Sequence, residues 1–221
     1  IRNNKLKNIP ESIGNLQSLL KLELNVNELY SIPEQISNLL IISTLDLSHN
    51  NLKSIPPEIG KLKSIKELDL SHNNLKSIPP EIGKLTQVLS LELKNNNLTH
   101  LPEEIGNLKG LTSFCVENNQ LSLVPPGIHQ MQNLTYLCLQ NNLIHHIPFE
   151  LANLHELETL ILSDNKIDSL PHEICYLQKL TKLRLDYNSL REFDMYLLFL
   201  PNLHSLHLEY FTFGNKEIKI I

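Results

Sequence analysis

Ten histidines and three cysteines hold most of the chemistry that this 221-residue chain could offer. His49 and His72 each stand one residue before an asparagine, 23 residues apart. On adjacent parallel strands, about 4.8 Å apart, two imidazoles could share a metal ion. The pattern fixes no third Cys or carboxylate ligand beside them, and both lie in a stretch, LDLSHNNLKSIPPEIGKL, that occurs letter for letter at Leu45–Leu62 and Leu68–Leu85. Copying accounts for the pair, so no metal site is expected. Cys115 and Cys138 repeat the same spacing and are expected to project outward from neighbouring strands. That strand spacing leaves their Cβ atoms too far apart for an unstrained disulfide, which predicts two free thiols. No His occupies the strand positions around either thiol to lower its pKa, so neither reads as a catalytic nucleophile. Cys175 takes the place held by Gly60, Gly83 and Gly106 in other copies, and reads as a small packed residue. Gly60-Lys61 and Gly83-Lys84 are followed by Leu and lack the upstream glycine of a phosphate-binding loop. His155-Glu156 and His172-Glu173 open like a zinc-protease pattern without its second His. Neither catalysis nor a cofactor is expected.

What positions these residues is a strict period. Asparagine recurs at Asn4, Asn27, Asn50, Asn73, Asn96, Asn119, Asn142, Asn165 and Asn188, always 23 residues apart with no insertion. Such a period describes a solenoid in which each repeat is one coil stacked on the next. Around each Asn the same frame returns, as in Leu19, Leu22, Leu24, Asn27, Leu29, Ile32, Pro33, Ile36 and Leu39. Its Leu-x-Leu core alternates with period two, which predicts a short strand with one buried face and, on stacking, a parallel sheet. The Asn amide offers donors and an acceptor, suited to a buried hydrogen-bonded ladder where the coil turns inward. Proline follows at Pro10, Pro33, Pro56, Pro79, Pro102, Pro125, Pro148 and Pro171. It lacks a ladder donor, so that arm is predicted to be extended or a short helical turn, never a second strand. One side of each coil is then narrower than the other, and the stack must curve with its strands on the concave face.

The LxxLxLxxNxL core followed by xxIPxxIGxL, recurring nine times in register over the whole chain, resembles the leucine-rich repeat family. The resemblance implies an α/β horseshoe solenoid, with residues 1–221 forming a single domain of nine to ten repeats. The IPPEIGKL and LPEEIGNL variants resemble the Ras-group repeats of scaffold proteins and the repeats of bacterial leucine-rich proteins. What this implies is a monomeric protein-interaction module in scaffolding or signalling, with a small GTPase or phosphatase as partner. The alternatives are a targeting or regulatory domain of a larger signalling enzyme, and a bacterial effector or surface protein engaging a host protein. Asp194 departs from the frame where Pro is expected, and Phe211 where a tenth Asn would fall. Phe211 and Phe213 could plug the open end of the core, although Ile220 keeps register with Ile174 and Leu197. The chain enters mid-repeat at Ile1, which reads as a domain cut from something longer.

Composition narrows the partners. A net charge of -5, with Lys scattered among Glu, leaves no basic stripe for a phosphate backbone, so no nucleic-acid partner is expected. The longest apolar runs, near Leu39–Ile42 and Tyr196–Leu200, are too short to span a bilayer. An odd cysteine count without a CxxC pair fits a reducing compartment, so a cytoplasmic setting is expected, with a secreted effector as the alternative. The sequons Asn97-Leu98-Thr99 and Asn133-Leu134-Thr135 point the other way, but such triplets arise by chance in an Asn-rich chain.

Binding should lie where the frame leaves residues free. The outward residue between the two strand leucines reads Glu23, Asp46, Asp69, Glu92, Cys115, Cys138, Ile161, Arg184 and His207, grading from acidic through apolar to basic. The acidic end descends partly from duplication. The diverged end adds Tyr136, Asp164, Lys182, Tyr187 and Tyr210 at flanking positions, and an outward Ile161 is costly unless something covers it. These residues are the predicted protein-binding face, with Glu23, Asp46, Asp69 and Glu92 as a secondary acidic patch.

Overall fold

The computed structural model describes residues 1–209 and the backbone of 211–213 and 216–218, leaving out the side chain of Pro126. Nine three-residue strands run in sequence order through one parallel sheet: β1 Lys21–Glu23, β2 Thr44–Asp46, β3 Glu67–Asp69, β4 Ser90–Glu92, β5 Ser113–Cys115, β6 Tyr136–Cys138, β7 Thr159–Ile161, β8 Lys182–Arg184 and β9 Ser205–His207. The register never slips, and each strand leucine sits opposite its equivalent, as in Leu22↔Leu45 and Leu45↔Leu68. Phe114 is the one departure in this row, and it is fully buried among Leu and Ile. The core is a continuous aliphatic filling between the sheet and the opposite arm.

That arm settles a choice the sequence left open. Each coil carries a five-residue 3-10 turn, from Glu11–Asn15 to Met195–Phe199. Proline caps the first eight, extended at φ near -67°, so its missing N–H falls where a helix start needs none. At the ninth, Asp194 replaces it by accepting a hydrogen bond from the Tyr196 N–H at 2.9 Å.

The asparagine ladder is present, and it is built from side chain to backbone. Asn73 Nδ2 donates to the carbonyls of Leu70 in its own coil and Leu47 in the preceding one, and its Oδ1 accepts from the Leu52 N–H at 3.0 Å. The same set returns at Asn96, Asn119, Asn142 and Asn165. The residue before every ladder Asn is left-handed, from Asn3 at φ 53° to Tyr187 at φ 56°. Asn, His and Asp fill most of these places, the non-glycine types that tolerate this region best; Val26 at φ 56° is the β-branched exception.

Beyond β9 the backbone of Phe211–Phe213 (β10) pairs antiparallel with Lys216–Ile218 (β11), which departs from the coil frame. The proposed plug by the Phe211 and Phe213 side chains and the register of Ile220 lie outside the described residues. Among the described residues, no helix is long and apolar enough to cross a membrane.

Candidate functional site

The predicted column is assembled as a single row. Glu23, Asp46, Asp69, Glu92, Cys115, Cys138, Ile161, Arg184 and His207 are successive register partners across the sheet. Because every strand is only three residues long and none is offset, each outward side chain meets its equivalents one coil before and after.

At the acidic end these contacts are partly internal. Glu23 is reached by Lys21 at 2.8 Å and forked by Arg2 at 2.6 and 2.9 Å; the bond from Lys21 first, then those from Arg2, hold its carboxyl below the usual range. Asp46 and Asp69 each accept from the backbone N–H two residues on, from Ser48 and Ser71. Glu67, Asp69 and Glu92 line one shallow depression with Asp46. Burial pushes the Glu92 carboxyl up against the opposing charge of Lys94, and Asp69 and Glu117 add to the rise.

The diverged end differs from the expectation at two places. Ile161 is 5% exposed and Cys138 is 1% exposed, so neither is the open apolar floor that the alternation suggested. The exposed apolar surface belongs instead to Tyr136 at 37% and Tyr187 at 49%. Arg184 is half-buried and its Nε donates to Asp186 Oδ2 at 3.2 Å. Asp186 is itself buried, accepting also from the Ser163 hydroxyl and the Glu209 N–H. Arg184 is thus tied to its own coil, which was not legible in its type. Asp164 accepts from Gln140 at 3.0 Å, Lys182 is half-buried, and His207 is exposed with Nε2 2.9 Å from the Ser205 hydroxyl. Tyr210 lies outside the described residues.

The two chemical pairs resolve differently. His49 and His72 stack face to face, centroids 3.9 Å apart and planes within 11°. Imidazole lone pairs lie in the ring planes, so this stack does not aim two nitrogens at one ion. It instead heads a second ladder: Asn95 Nδ2 lies 3.2 Å from His72 Nε2, and Asn118 and Asn141 continue it side chain to side chain. Burial first, then His49 and Lys94, push the His72 imidazole below its ordinary pKa, against weaker opposition from Asp69 and Glu117. The folded state therefore binds fewer protons there, and its contribution to stability is lost as pH falls below about 6.5, the ordinary histidine value. His72→Asn, the residue already used at Asn95, is expected to flatten this loss. Thermal melts of both proteins at pH 7.5 and 5.5 should show the smaller acid shift in the variant; an equal shift would place the effect elsewhere.

Cys115 and Cys138 are free thiols, and the structure adds a third group that the sequence reading missed. The sulfur atoms of both and a Glu117 carboxylate oxygen lie within 4.8 Å of one another. Protonated, Cys138 Sγ donates to Glu117 Oε2 at 3.7 Å. Deprotonated, it accepts from the Cys115 thiol and the Gln140 N–H, which makes Cys138 the easier of the two to ionise. Cys115 is correspondingly held up, first by that bond to Cys138 and then by burial. Burial and the two sulfurs raise the Tyr136 phenol to about 12. The available signal was Glu117's place two residues beyond Cys115, on the same face.

The leucine rich repeat family model matches residues 41–82, 63–121, 109–167 and 132–190. The chain belongs to the leucine-rich repeat family. No curated protein matches it in sequence. Among solved structures, a leucine-rich repeat protein of Leptospira interrogans is 37% identical with a TM-score of 0.78, over 94% of this chain and 59% of that one. The ectodomain of the Arabidopsis thaliana membrane receptor kinase GASSHO1/SCHENGEN3, in complex with CASPARIAN STRIP INTEGRITY FACTOR 2, is 30% identical with a TM-score of 0.69, over 94% of this chain and 29% of that one. The leucine-rich repeat domain of the type III effector XopL, at 24% identity and a TM-score of 0.80 over 93% and 74%, shares the fold. This leucine-rich repeat chain therefore spans only part of the length of the first two.

Proposed function

We propose that this leucine-rich repeat domain is a non-catalytic recognition module that holds a protein partner along its concave sheet. The observation that carries the reading is the in-register row, acidic at β1–β4 and ending at the Asp186-paired Arg184, with Lys182 and the exposed Tyr136 and Tyr187 flanking it on the diverged side. Graded charge of this kind selects the orientation of a partner more than it adds affinity, and tyrosines supply large contact area at low entropy cost. An extended segment with a basic end over Asp46 and Asp69 and an acidic end near Lys182 would complement it. The receptor ectodomain solved with CASPARIAN STRIP INTEGRITY FACTOR 2 supports a polypeptide occupant.

A scaffold engaging a small GTPase or phosphatase in the cytoplasm, and the recognition arm of a larger enzyme, both fit such a module. The 37% identity to the Leptospira protein favours a bacterial setting, and the second reading there is an effector or surface protein whose partner is a host protein. That reading requires export, whereas the odd cysteine count belongs with an intracellular setting.

Binding to a partner captured from the native source tests the face. Tyr136→Ala, Tyr187→Asn and Lys182→Glu are each expected to weaken it by about 1–3 kcal/mol. Asn is chosen at 187 because the position is left-handed. Charge reversal of Arg184 is unsuitable, because a new carboxylate would face the buried Asp186. Lys84→Glu and Lys109→Glu on the opposite arm should leave binding unchanged; the reverse pattern would move the site off the concave face.

A further inference from the structure

We propose that Cys115, Glu117 and Cys138 form a binding site for one thiophilic divalent cation, of which Zn2+ is the representative, on the floor of the concave sheet. The argument begins with spacing. Two sulfurs bound to one tetrahedral zinc at about 2.3 Å stand roughly 3.8 Å apart, and a carboxylate oxygen completes a third corner at about 2.0–2.2 Å. Here all three donor atoms lie within 4.8 Å of one another, and Cys138 Sγ is 3.7 Å from Glu117 Oε2. That triangle is within about 1 Å of bonding size, a gap of the order that side-chain rotation spans.

The donors are also held in advance. Cys115 and Cys138 are register partners on β5 and β6, so sheet hydrogen bonding sets the separation of their stems. Cys138 is almost wholly buried, whereas Cys115 and Glu117 are half-buried, so the fourth corner opens to the groove. Two thiolates and one carboxylate suit a borderline-soft ion, and an open fourth position takes water or an incoming side chain. The all-oxygen shells that Mg2+ and Ca2+ require are absent from this donor set. Binding displaces the two thiol protons to solvent, leaving a 2+ ion facing three negative ligands and one net negative charge at the site. The stacked His49 and His72 present no such convergence. The inference stands apart from the identity of any protein partner.

The test titrates Zn2+ alone into the reduced full chain in competition with a chromophoric chelator. One tightly held ion per chain is expected. Cys115→Ser and Cys138→Ser should each weaken it about 100-fold or more and Glu117→Gln at least about 10-fold, since direct ligands should cost no less than the roughly 10–100-fold that outer-shell partners do. His72→Asn should change nothing. Cobalt substitution should give a thiolate charge-transfer band that both serine variants lose. Failure to bind an ion, or binding retained in the Cys115→Ser/Cys138→Ser double variant, overturns the proposal. Should the serine variants not fold, alkylation of the native protein decides: bound Zn2+ must protect both Cys115 and Cys138, and unchanged modification of either overturns it.

Discussion

Replacing Asn119 with Leu, its nearest apolar match in shape, is expected to cost about 3–5 kcal/mol of stability. The amide is buried, at 8% exposure, and its Nδ2 donates to the carbonyls of Leu93, Val116 and Glu117 at 3.1–3.2 Å. Its Oδ1 accepts from the Leu98 N–H at 2.9 Å. Leucine fills the space and satisfies none of these groups, and each stranded buried donor or acceptor costs about 1–3 kcal/mol. The Leu98 and Leu93 partners belong to the preceding coil, so the substitution also cuts a coil-to-coil coupling. In a repeat array, where stability is a sum of coils and their interfaces, that cut should separate the unfolding of the two halves. Urea titration should show a lowered midpoint and a broadened or split transition. Asn4→Leu is the control, since Asn4 is exposed and reaches only the Arg2 carbonyl, and it should cost under about 0.5 kcal/mol. Similar small losses at both positions would mean that the ladder amides are ornaments of the turn.

The frame was readable in the sequence because packing imposes it. Leucines that must meet their equivalents across a sheet, and asparagines that must reach two coils at once, cannot drift in period. The prolines were readable only as a prohibition: they excluded a second strand, and a capping proline is extended before a 3-10 turn just as it would be within an extended arm. The left-handed position before each ladder Asn left almost no trace, because glycine, its usual sign, is not used there. The six described glycines all lie outside the left-handed region and serve close approach instead. Across the site, period-two alternation assigned every member of the outward row to its face, and it said nothing about exposure. Whether Ile161 or Cys138 is open depends on packing that the alternation does not encode. Alternation also says nothing about pairing along one face: Arg184 read as a free cation although Asp186, two residues on, holds it, and Glu117, two residues beyond Cys115, went unnoticed beside two cysteines.

Close approach of the arms carries the second large effect, Gly106→Ala, expected to cost about 2–3 kcal/mol by overpacking. A Cβ on Gly106 would overlap the Gly127 carbonyl oxygen of the next coil and stand 2.8 Å from its carbonyl carbon. Both obstacles are backbone, so no side chain can swing away, and the arms of the fifth and sixth coils must part. The second coil accommodates Ser37 at this place, whereas from Gly60 onward the approach tightens: the nearest backbone oxygen would be 2.6 Å away at Gly60, and closer still at Gly83 and Gly106. In later coils the same place holds His129, Ala152 and Cys175, so the arms there already stand far enough apart for a side chain. Gly110→Ala serves as the comparison, because its Cβ would meet the Val88 carbonyl oxygen at a milder 2.9 Å, and it should cost less. Parting the arms on the outer side changes the curvature of the sheet on the inner side, so Gly106→Ala should also disturb the spacing of Cys115 and Cys138, which lie on the strands that follow these same two turns. Thermal unfolding with Zn2+ titration reads both consequences at once, and a Gly106→Ala protein as stable as Gly110→Ala would mean that the coils slide apart at no cost.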